Sequence, residues 1–248
     1  MVIYCAGSTK ACQYAARLLK EYGYRVEPSP TDSVTHLLLD VPSFGAEGFL
    51  RSGSSIHTLL SKFSTDITVC GGNLNHPALE GYPKIDLLQD AHYLAENAYI
   101  TAECALDVAL PYLEITLRRC PVLIIGWGRI GKCLGQLLKD MGADVTICAR
   151  KETDRAIIQA LGFKATDTGR INTPEQFRLI FNTVPEMVLT KENTALFRKD
   201  CVKIDLASKS GMDDEDVIVA RGLPGIHFPE SSGELIAATL LRLCREEI

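Results

Sequence analysis

The sequence predicts an α/β protein with two parallel β-sheets, the smaller of which comes first along the chain. Short uncharged apolar runs, which suit strands buried on both faces, alternate with segments whose apolar residues recur at helical spacing. The alternation occurs before and after one long helical stretch. Strands and helices that alternate across short connections form a doubly wound parallel sheet with right-handed crossovers. We therefore expect two α/β domains joined by a long interdomain helix.

The composition is that of an ordinary globular protein, with 46% hydrophobic and 23% charged residues. A formal net charge of -5 argues against nucleic-acid binding, which needs a basic face. The nine cysteines are scattered and odd in number, so we expect reduced thiols and no zinc site. The chain opens without a leader pattern, and no apolar run approaches the ~20 residues that span a bilayer. The sequence thus favours a cytoplasmic protein without membrane or metal binding.

The first domain, residues 1–92, is predicted to contain strands and helices in alternation. The strands lie at residues 2–6, 24–26, 35–40 and 67–70, and the helices at 11–19 and 54–63. Ser8, Thr9 and Ser43 follow strands at the sheet edge where ligands gather in open α/β folds. They are candidate substrate-binding residues, although serine and threonine at such positions also cap helices.

A helical pattern over residues 91–117 predicts the connecting helix, which we place at 93–118 and expect to bend at Pro111. Glu103 stands on this otherwise apolar helix, close to Thr101. A carboxylate in such a setting is usually solvated, but at a domain junction it could face a cleft.

The second domain, residues 119–248, opens with a strand at 122–125 that enters the turn Gly126-x-Gly128-x-x-Gly131 and then a helix. In a strand-turn-helix of this kind the first glycine makes the turn, the second lets the backbone approach a pyrophosphate, and the third lets the helix pack on the strand. Arg129 and Ile130 complete the turn, whose free N–H groups would meet the phosphates. Glycine is needed there for steric reasons even without a ligand.

The remaining elements of this domain continue the same alternation. Strands are predicted at 144–149, 178–182, 202–206 and 225–228, and helices at 153–161 and 234–244. The last segment, 231–248, could instead pack back onto the first domain. The pattern predicts a Rossmann-type doubly wound sheet.

Two cations, Arg150 and Lys151, follow the second strand of this domain, about 20 residues after the glycine turn, where an NAD site would place an acid. They can pair with the 2′-phosphate of NADP, so we favour NADP over NAD. The alternative is that the two cations belong to an ordinary solvated loop. The acidic Glu152 beside them also weakens the inference that the site prefers NADP.

Polar segments follow two further strands on the same edge, where the nicotinamide ribose would lie. The predicted cofactor-binding residues there are Asn182, Thr183, Val184 and Pro185 after one strand, and Leu206, Ala207 and Ser208 after the next. Asn and Pro also form ordinary turns.

With these segments assembled, the chain from about Asn97 to Leu241 resembles the A-type subunit of dipicolinate synthase. The matching segments are the glycine turn, Gly142-Ala-Asp-Val with Ala149-Arg150, Asn182-Thr-Val-Pro185, Asp205-Leu-Ala-Ser208, Gly222-Leu-Pro-Gly225-Ile and Pro229-x-x-x-Gly233. The resemblance implies a Rossmann domain with a smaller flavodoxin-like partner, as in 2-hydroxyacid dehydrogenases. It also implies NADP-dependent oxidation of a dihydrodipicolinate-type ring during sporulation, together with a flavoprotein-like B-type subunit.

On this reading Glu103 and Thr101 position the substrate or relay a proton, while Ser208 and Asn182 hold the nicotinamide end. The family's Pro-Thr-x-Glu-Gly is Ile100-Thr-Ala-Glu-Cys104 here, which leaves two alternatives open. One is a non-catalytic dinucleotide-binding or partner-binding paralogue, and the other is a dehydrogenase of another small carboxylic acid. The apolar carboxyl-terminal helix and the connecting helix offer faces for a homodimer.

Overall fold

A computed structural model describes residues 1–45, 48–64 and 66–246. Its strands are β1 (Val2–Cys5), β2 (Arg25–Glu27), β3 (His36–Leu38), β4 (Thr68–Gly71), β5 (Lys84–Asp86), β6 (Pro121–Ile125), β7 (Asp144–Cys148), β8 (Lys164–Thr166), β9 (Leu179–Asn182), β10 (Val202–Asp205) and β11 (Val217–Val219). Its α-helices are α1 (Lys10–Glu21), α2 (Ile56–Leu60), α3 (Ala91–Ala109), α4 (Arg129–Asp140), α5 (Glu152–Ala160), α6 (Lys191–Thr194), α7 (Pro224–His227) and α8 (Pro229–Glu246). Short 3₁₀ turns cover Pro77–Leu79, Leu87–Gln89, Leu110–Tyr112 and Pro174–Gln176.

The chain divides into two compact units. The first consists of Met1–Ile100 together with Pro224–Ile248, and the second is Thr101–Leu223. The domain boundaries expected from the sequence, at 92/93 and 118/119, stay a prediction. No helix among the described residues is long and apolar enough to cross a membrane.

The first unit contains a parallel sheet in the order β2-β1-β3-β4-β5. Thr9 caps α1, since its hydroxyl accepts a hydrogen bond from the Cys12 N–H at 3.3 Å. On one face of the sheet, α8 packs against α1 and buries Ile236 and Leu240 in the same cluster as Ile3. The close approach of these two helices requires Gly233, where a Cβ atom would collide with α1.

The second unit contains a parallel sheet in the order β11-β10-β9-β6-β7-β8. The chain leaves β6 towards β7 on one side and later returns to β9 on the other, so the order reverses between β6 and β9. Ligands of doubly wound folds bind outside the carboxyl ends of the strands at this reversal. The predicted α/β class with two parallel sheets and a Rossmann-type doubly wound sheet is confirmed.

Three local predictions were wrong. Residues 225–228 are not a strand, because Pro224 begins α7; proline lacks an N–H and its fixed φ suits the first turn of a helix. The long helix does not bend through Pro111 but ends at Ala109 and continues as one 3₁₀ turn. Among the described residues, β5, β8 and β11 lacked a predicted counterpart, since three-residue strands at or near sheet edges show no clear hydrophobic pattern.

Candidate functional site

The three glycines after β6 have distinct surroundings. Gly126 has a φ of 108°, and a Cβ atom there would collide with the Thr183 hydroxyl. A Cβ atom on Gly131 would collide with the Gly126 carbonyl oxygen, so this glycine lets α4 lie against the turn. Gly128 is different, because no atom of the described residues, its chain neighbours aside, lies within 4 Å of a Cβ atom placed on it. The second glycine therefore keeps open space in front of the backbone at the point where α4 begins.

The amino end of α4 is also suited to an anion. Gly128 is the residue that caps this helix, and glycine has no side-chain oxygen to accept a hydrogen bond from the first turn. No acidic residue lies in the first turn. The partial positive charge of the helix end is thus not neutralised by the helix's own residues, as a phosphate-binding helix requires.

The loop after β9 is held directly against the glycine turn. The backbone N–H and the hydroxyl of Thr183 both donate to the Ile125 carbonyl oxygen, each at 2.9 Å. The side chain of Val184 also lies close to Gly126. Thr183 and Val184, predicted as cofactor-binding residues, therefore lie beside the glycine turn.

Asn182 is fully buried and shapes the loops through its amide. Its Nδ2 donates to the Asp205 carboxylate at 3.1 Å and to the Val184 carbonyl at 3.0 Å, while its Oδ1 accepts from the Val184 N–H at 3.0 Å. These bonds occupy the donors and an acceptor of the side chain. Its predicted contact with the nicotinamide end stays a prediction.

Asp205, also fully buried, ties the loop after β10 to the loop after β9. Its carboxylate accepts from the N–H of Ala207 at 3.0 Å and of Gly211 at 2.8 Å, besides the bond from Asn182. Leu206 and Ala207 are buried, whereas Ser208 is exposed. Asp205 was not predicted to have this role; its signals in the sequence were its position at the end of a strand and its place in the Asp205-Leu-Ala-Ser208 segment.

Arg150 and Lys151 both follow β7 and are exposed. The backbone that carries them is fixed by Arg155, whose Nη1 donates to the carbonyls of Ala149 and Arg150, at 2.8 Å each, and to Asp167 at 2.6 Å. Nothing in the sequence distinguished Arg155 from other surface residues of a helix. The loop is therefore held in place while its two cationic side chains face solvent.

Arg150 has an acidic neighbour, Glu186, that lies 36 residues further along the chain and was not predicted. Nη1 of Arg150 lies 3.9 Å from Oε2 of Glu186, and both side chains are largely exposed, at 82% and 72%. Glu186 follows Pro185 in the loop after β9. The loops after β7 and β9 therefore place a cation and a carboxylate near each other.

A cavity of about 250 Å³ lies between the loop after β8 and the α6 region. Its apolar walls include Ile171, Leu189 and Phe197, and Arg170 and Asn193 supply polar groups. The loop begins at Asp167, the residue that Arg155 connects to the cationic segment. The cavity and the cationic segment thus belong to the same unit and are connected through Asp167 and Arg155.

The two residues predicted to act on substrate from α3 do not share a face of the helix. Thr101 is 9% exposed, whereas Glu103 is exposed. Two positions along an α-helix correspond to a rotation of about 200°. The helix therefore directs these side chains apart, and their catalytic roles stay a prediction.

The three hydroxyl residues predicted in the first unit all bond to one buried residue, Asp40, two of them through its carboxylate and the third through its backbone carbonyl. Ser8 donates to the carboxylate through its N–H and hydroxyl at 2.9 and 3.0 Å, and Thr9 does so at 2.9 and 2.6 Å. Ser43 is buried and donates to the Asp40 carbonyl oxygen at 2.8 Å. These contacts are structural, and substrate binding by the three residues stays a prediction.

Within the described part of the chain, no group of three or more His, Cys, Asp or Glu side chains could hold a metal ion.

The strand order, the glycine turn and the open end of α4 define the class: a Rossmann-type fold shared with dehydrogenases. The transhydrogenase of Sinorhizobium meliloti has this fold, with a TM-score of 0.75 at 13% identity over 100% of this chain and 94% of that one. No family model matches the sequence.

The particular resemblance is to the A-type subunit of dipicolinate synthase, as the sequence predicted. The crystal structure of that protein from Bacillus halodurans matches with a TM-score of 0.84 at 21% identity, covering 97% of this chain and 96% of that chain. In sequence, the chain is 26% identical over 159 residues to its counterpart from Bacillus subtilis (strain 168). That alignment covers 60% of this chain and 54% of the relative, so it spans about half of the relative's length.

Proposed function

We propose that this protein is an NADP-dependent oxidoreductase that, like its dipicolinate synthase relatives, handles a cyclic dicarboxylate of the dihydrodipicolinate type. The bound nicotinamide would supply the hydride chemistry, and the protein would bind, orient and protect the reacting groups. The second unit is the proposed cofactor-binding part.

One observation carries the proposal, namely the open space at Gly128. The residues fit a dinucleotide because the turn is compact at Gly126 and Gly131 but open at Gly128, next to a helix end without acidic residues. A turn that served only strand-helix packing would not need the middle glycine. The N–H groups at the start of α4 would hold the pyrophosphate.

The choice of NADP rests on the segment after β7. Arg150 and Lys151 are exposed on a backbone that Arg155 fixes, so both are available to a 2′-phosphate. Arginine can hold a phosphate through two parallel hydrogen bonds. The apolar cavity in the same unit as this segment is the proposed location of the adenine ring.

The proposal assigns the remaining site residues by position. Thr183 and Val184 would line the site beside the glycine turn, and the exposed Ser208 would meet the nicotinamide end. Glu103 carries an exposed carboxylate on α3, and we assign it to proton transfer at the substrate. The proposed partners are a second copy of the chain and a flavoprotein-like protein.

Replacing Gly128 by Ala tests the cofactor site without a broad structural change. Apart from its own chain neighbours, the new methyl group meets no atom of the described residues within 4 Å, so the melting temperature should stay within about 2 °C of wild type. It would, however, occupy the space of the pyrophosphate, and we expect affinity for NADPH to fall about tenfold or more, which is about 1.4 kcal/mol.

The measurement uses the single tryptophan of the chain, Trp127, which stands inside the turn. Energy transfer from Trp127 to reduced nicotinamide reports binding directly. Gly225→Ala is the control, since its Cβ would make only an ordinary contact, at 3.8 Å, in the other unit. If wild type binds neither NADPH nor NADH, the proposed function is wrong.

The cofactor preference and the catalytic step are tested separately. Arg150→Ser should lower the affinity for NADPH about tenfold and leave the affinity for NADH unchanged, because only NADPH carries the 2′-phosphate. Tighter binding of NADH by wild type would contradict the NADP assignment.

Turnover of a dihydrodipicolinate-type compound, lost in Glu103→Gln, would exclude the non-catalytic alternative. Assaying a panel of small carboxylic acids as substrates distinguishes the proposed activity from the second alternative, a dehydrogenase of another small carboxylic acid.

A further inference from the structure

Two cysteine thiols lie against each other at the carboxyl edge of the first sheet. Cys5 ends β1 and Cys12 lies in the first turn of α1, and their Sγ atoms are 3.6 Å apart. Both cysteines are free. A disulfide bond has an S–S length of about 2.05 Å, so the two sulfurs would have to approach by about 1.5 Å.

The backbone around the pair leaves room for this close contact. A Cβ atom on Gly7 would collide with the Sγ and Cβ atoms of Cys12, so the absence of a side chain there lets Cys12 lie under the loop. Each thiol also has a backbone acceptor: Cys5 Sγ contacts the Cys12 carbonyl at 3.7 Å, and Cys12 Sγ contacts the Leu39 carbonyl at 3.4 Å. The pair is thus held by β1, α1 and the segment after β3.

The two thiols differ in their readiness to lose a proton. The Cys12 thiol lowers the pKa of Cys5 below its ordinary value of 9.0, against the effect of burial and with help from the Gly7 backbone. The pKa of Cys12 is raised, first by its bond to Cys5 and then by burial. By contrast, burial raises the pKa of Cys104, Cys148 and Cys201 to about 12. Since the thiolate is the nucleophile, Cys5 is the reactive member, and it is also the less buried one.

We propose that Cys5 and Cys12 form a redox-active dithiol that is oxidised by small disulfides of the glutathione type. The Cys5 thiolate attacks one sulfur of the small disulfide, which gives a mixed disulfide and releases one thiolate. Cys12 then gives up its proton and attacks Cys5 Sγ, which forms the Cys5–Cys12 bond and releases the second thiol. The protein loses two electrons, and the small disulfide gains them as it becomes two thiols.

The experiment treats the full-length protein with a series of ratios of reduced to oxidised glutathione, blocks the remaining thiols by alkylation, and digests with trypsin. Trypsin cleaves after Lys10 and Arg17, so the cross-link joins peptides 1–10 and 11–17. We expect this linked pair in folded wild type, with its fraction rising as the ratio becomes more oxidising. Cys133→Ser, a half-buried cysteine of the other unit, is the control and should keep the link.

The single variants test the order of attack. Cys12→Ser should accumulate glutathione on Cys5, because the resolving thiol is missing, whereas Cys5→Ser should leave Cys12 unmodified. The wild-type result needs no variant, so it decides the matter even if a variant fails to fold. The proposal is overturned if wild type that is folded by circular dichroism gives no linked pair at any ratio, or gives it only after unfolding in urea.

Discussion

Gly126, Gly128 and Gly131 belong to one short motif, yet each has a different physical reason to be glycine. The first has a positive φ and the third touches a carbonyl oxygen, and both would be needed in any tight strand-helix turn. Only the middle one faces open space. The motif was visible in the sequence, but the distinction between steric and ligand-related glycines came from the atoms around each Cα.

Glu186 is predicted to weaken the preference for NADPH. Its carboxylate lies 3.9 Å from Arg150 and would compete with, and repel, a 2′-phosphate bound there. Glu186→Gln should raise the ratio of NADPH to NADH affinity about threefold at low salt, and the gain should fade in about 0.5 M salt because the groups are exposed. Titration by Trp127 energy transfer measures both affinities. Glu215→Gln, an exposed change elsewhere in the unit, should alter neither, and an unchanged ratio in Glu186→Gln would count against the effect.

Asp40 is predicted to stabilise the first unit. Its carboxylate accepts four hydrogen bonds from Ser8 and Thr9 and is 3% exposed, so Asp40→Asn would bring an NH₂ group against donors. We expect the free energy of unfolding in urea to fall by about 2 kcal/mol. Asp32→Asn is exposed and should change it by less than about 0.5 kcal/mol. Equal stabilities of the two variants would refute this account.

At the level of strands and helices, the central strands β6 and β9 were predictable because they are apolar and uncharged over most of their length. Three of the four edge strands, β5, β8 and β11, were not predicted, since each is only three residues long and partly exposed. The same limit applied to the loops. Their polar residues could be located at strand ends, but the bond between Asn182 and Asp205 joins positions 23 residues apart, and no local pattern reports it.

Asp205 is predicted to support cofactor binding through the loops rather than by contact. In Asp205→Asn one of the acceptors for the N–H groups of Ala207 and Gly211 becomes a donor, so both loops should loosen. We expect a loss of about 2 kcal/mol in stability, together with weaker NADPH binding. Urea unfolding and Trp127 titration would measure the two effects. Asp213→Asn, at an exposed position, is the control. Full NADPH affinity in Asp205→Asn would show that the loops do not depend on this carboxylate.

Over the whole molecule, the sequence predicted the fold class and the location of the glycine turn, because both depend on periodicity and local turn chemistry. It did not predict which polar side chains form hydrogen bonds with other residues of the protein and which are available to a ligand. Ser8, Thr9 and Ser43 were expected near substrate, yet their hydroxyls bond to Asp40, more than 30 residues away for the first two. Long-range partners of this kind are determined by tertiary structure.

A chain that ends at Leu223 is predicted to lose the fold of the first unit. It would lack α8, whose Ile236 and Leu240 are buried against α1 and whose burial is worth about 1.5–3 kcal/mol each. Hydrogen exchange should show unprotected amides in β1 and α1. The second unit should keep its response of Trp127 to NADPH. Protected β1 amides in the shortened chain would contradict this expectation.

The division of the chain at residues 100/101 and 223/224 has a consequence for synthesis on the ribosome. The second unit is continuous in the sequence, so all of its strands are synthesised before the last segment of the first unit. Domains fold as units once their residues are available. The first unit, although its strands emerge earliest, must wait with part of its core uncovered until α8 arrives, and it is therefore the part of the nascent protein most in need of protection by a chaperone.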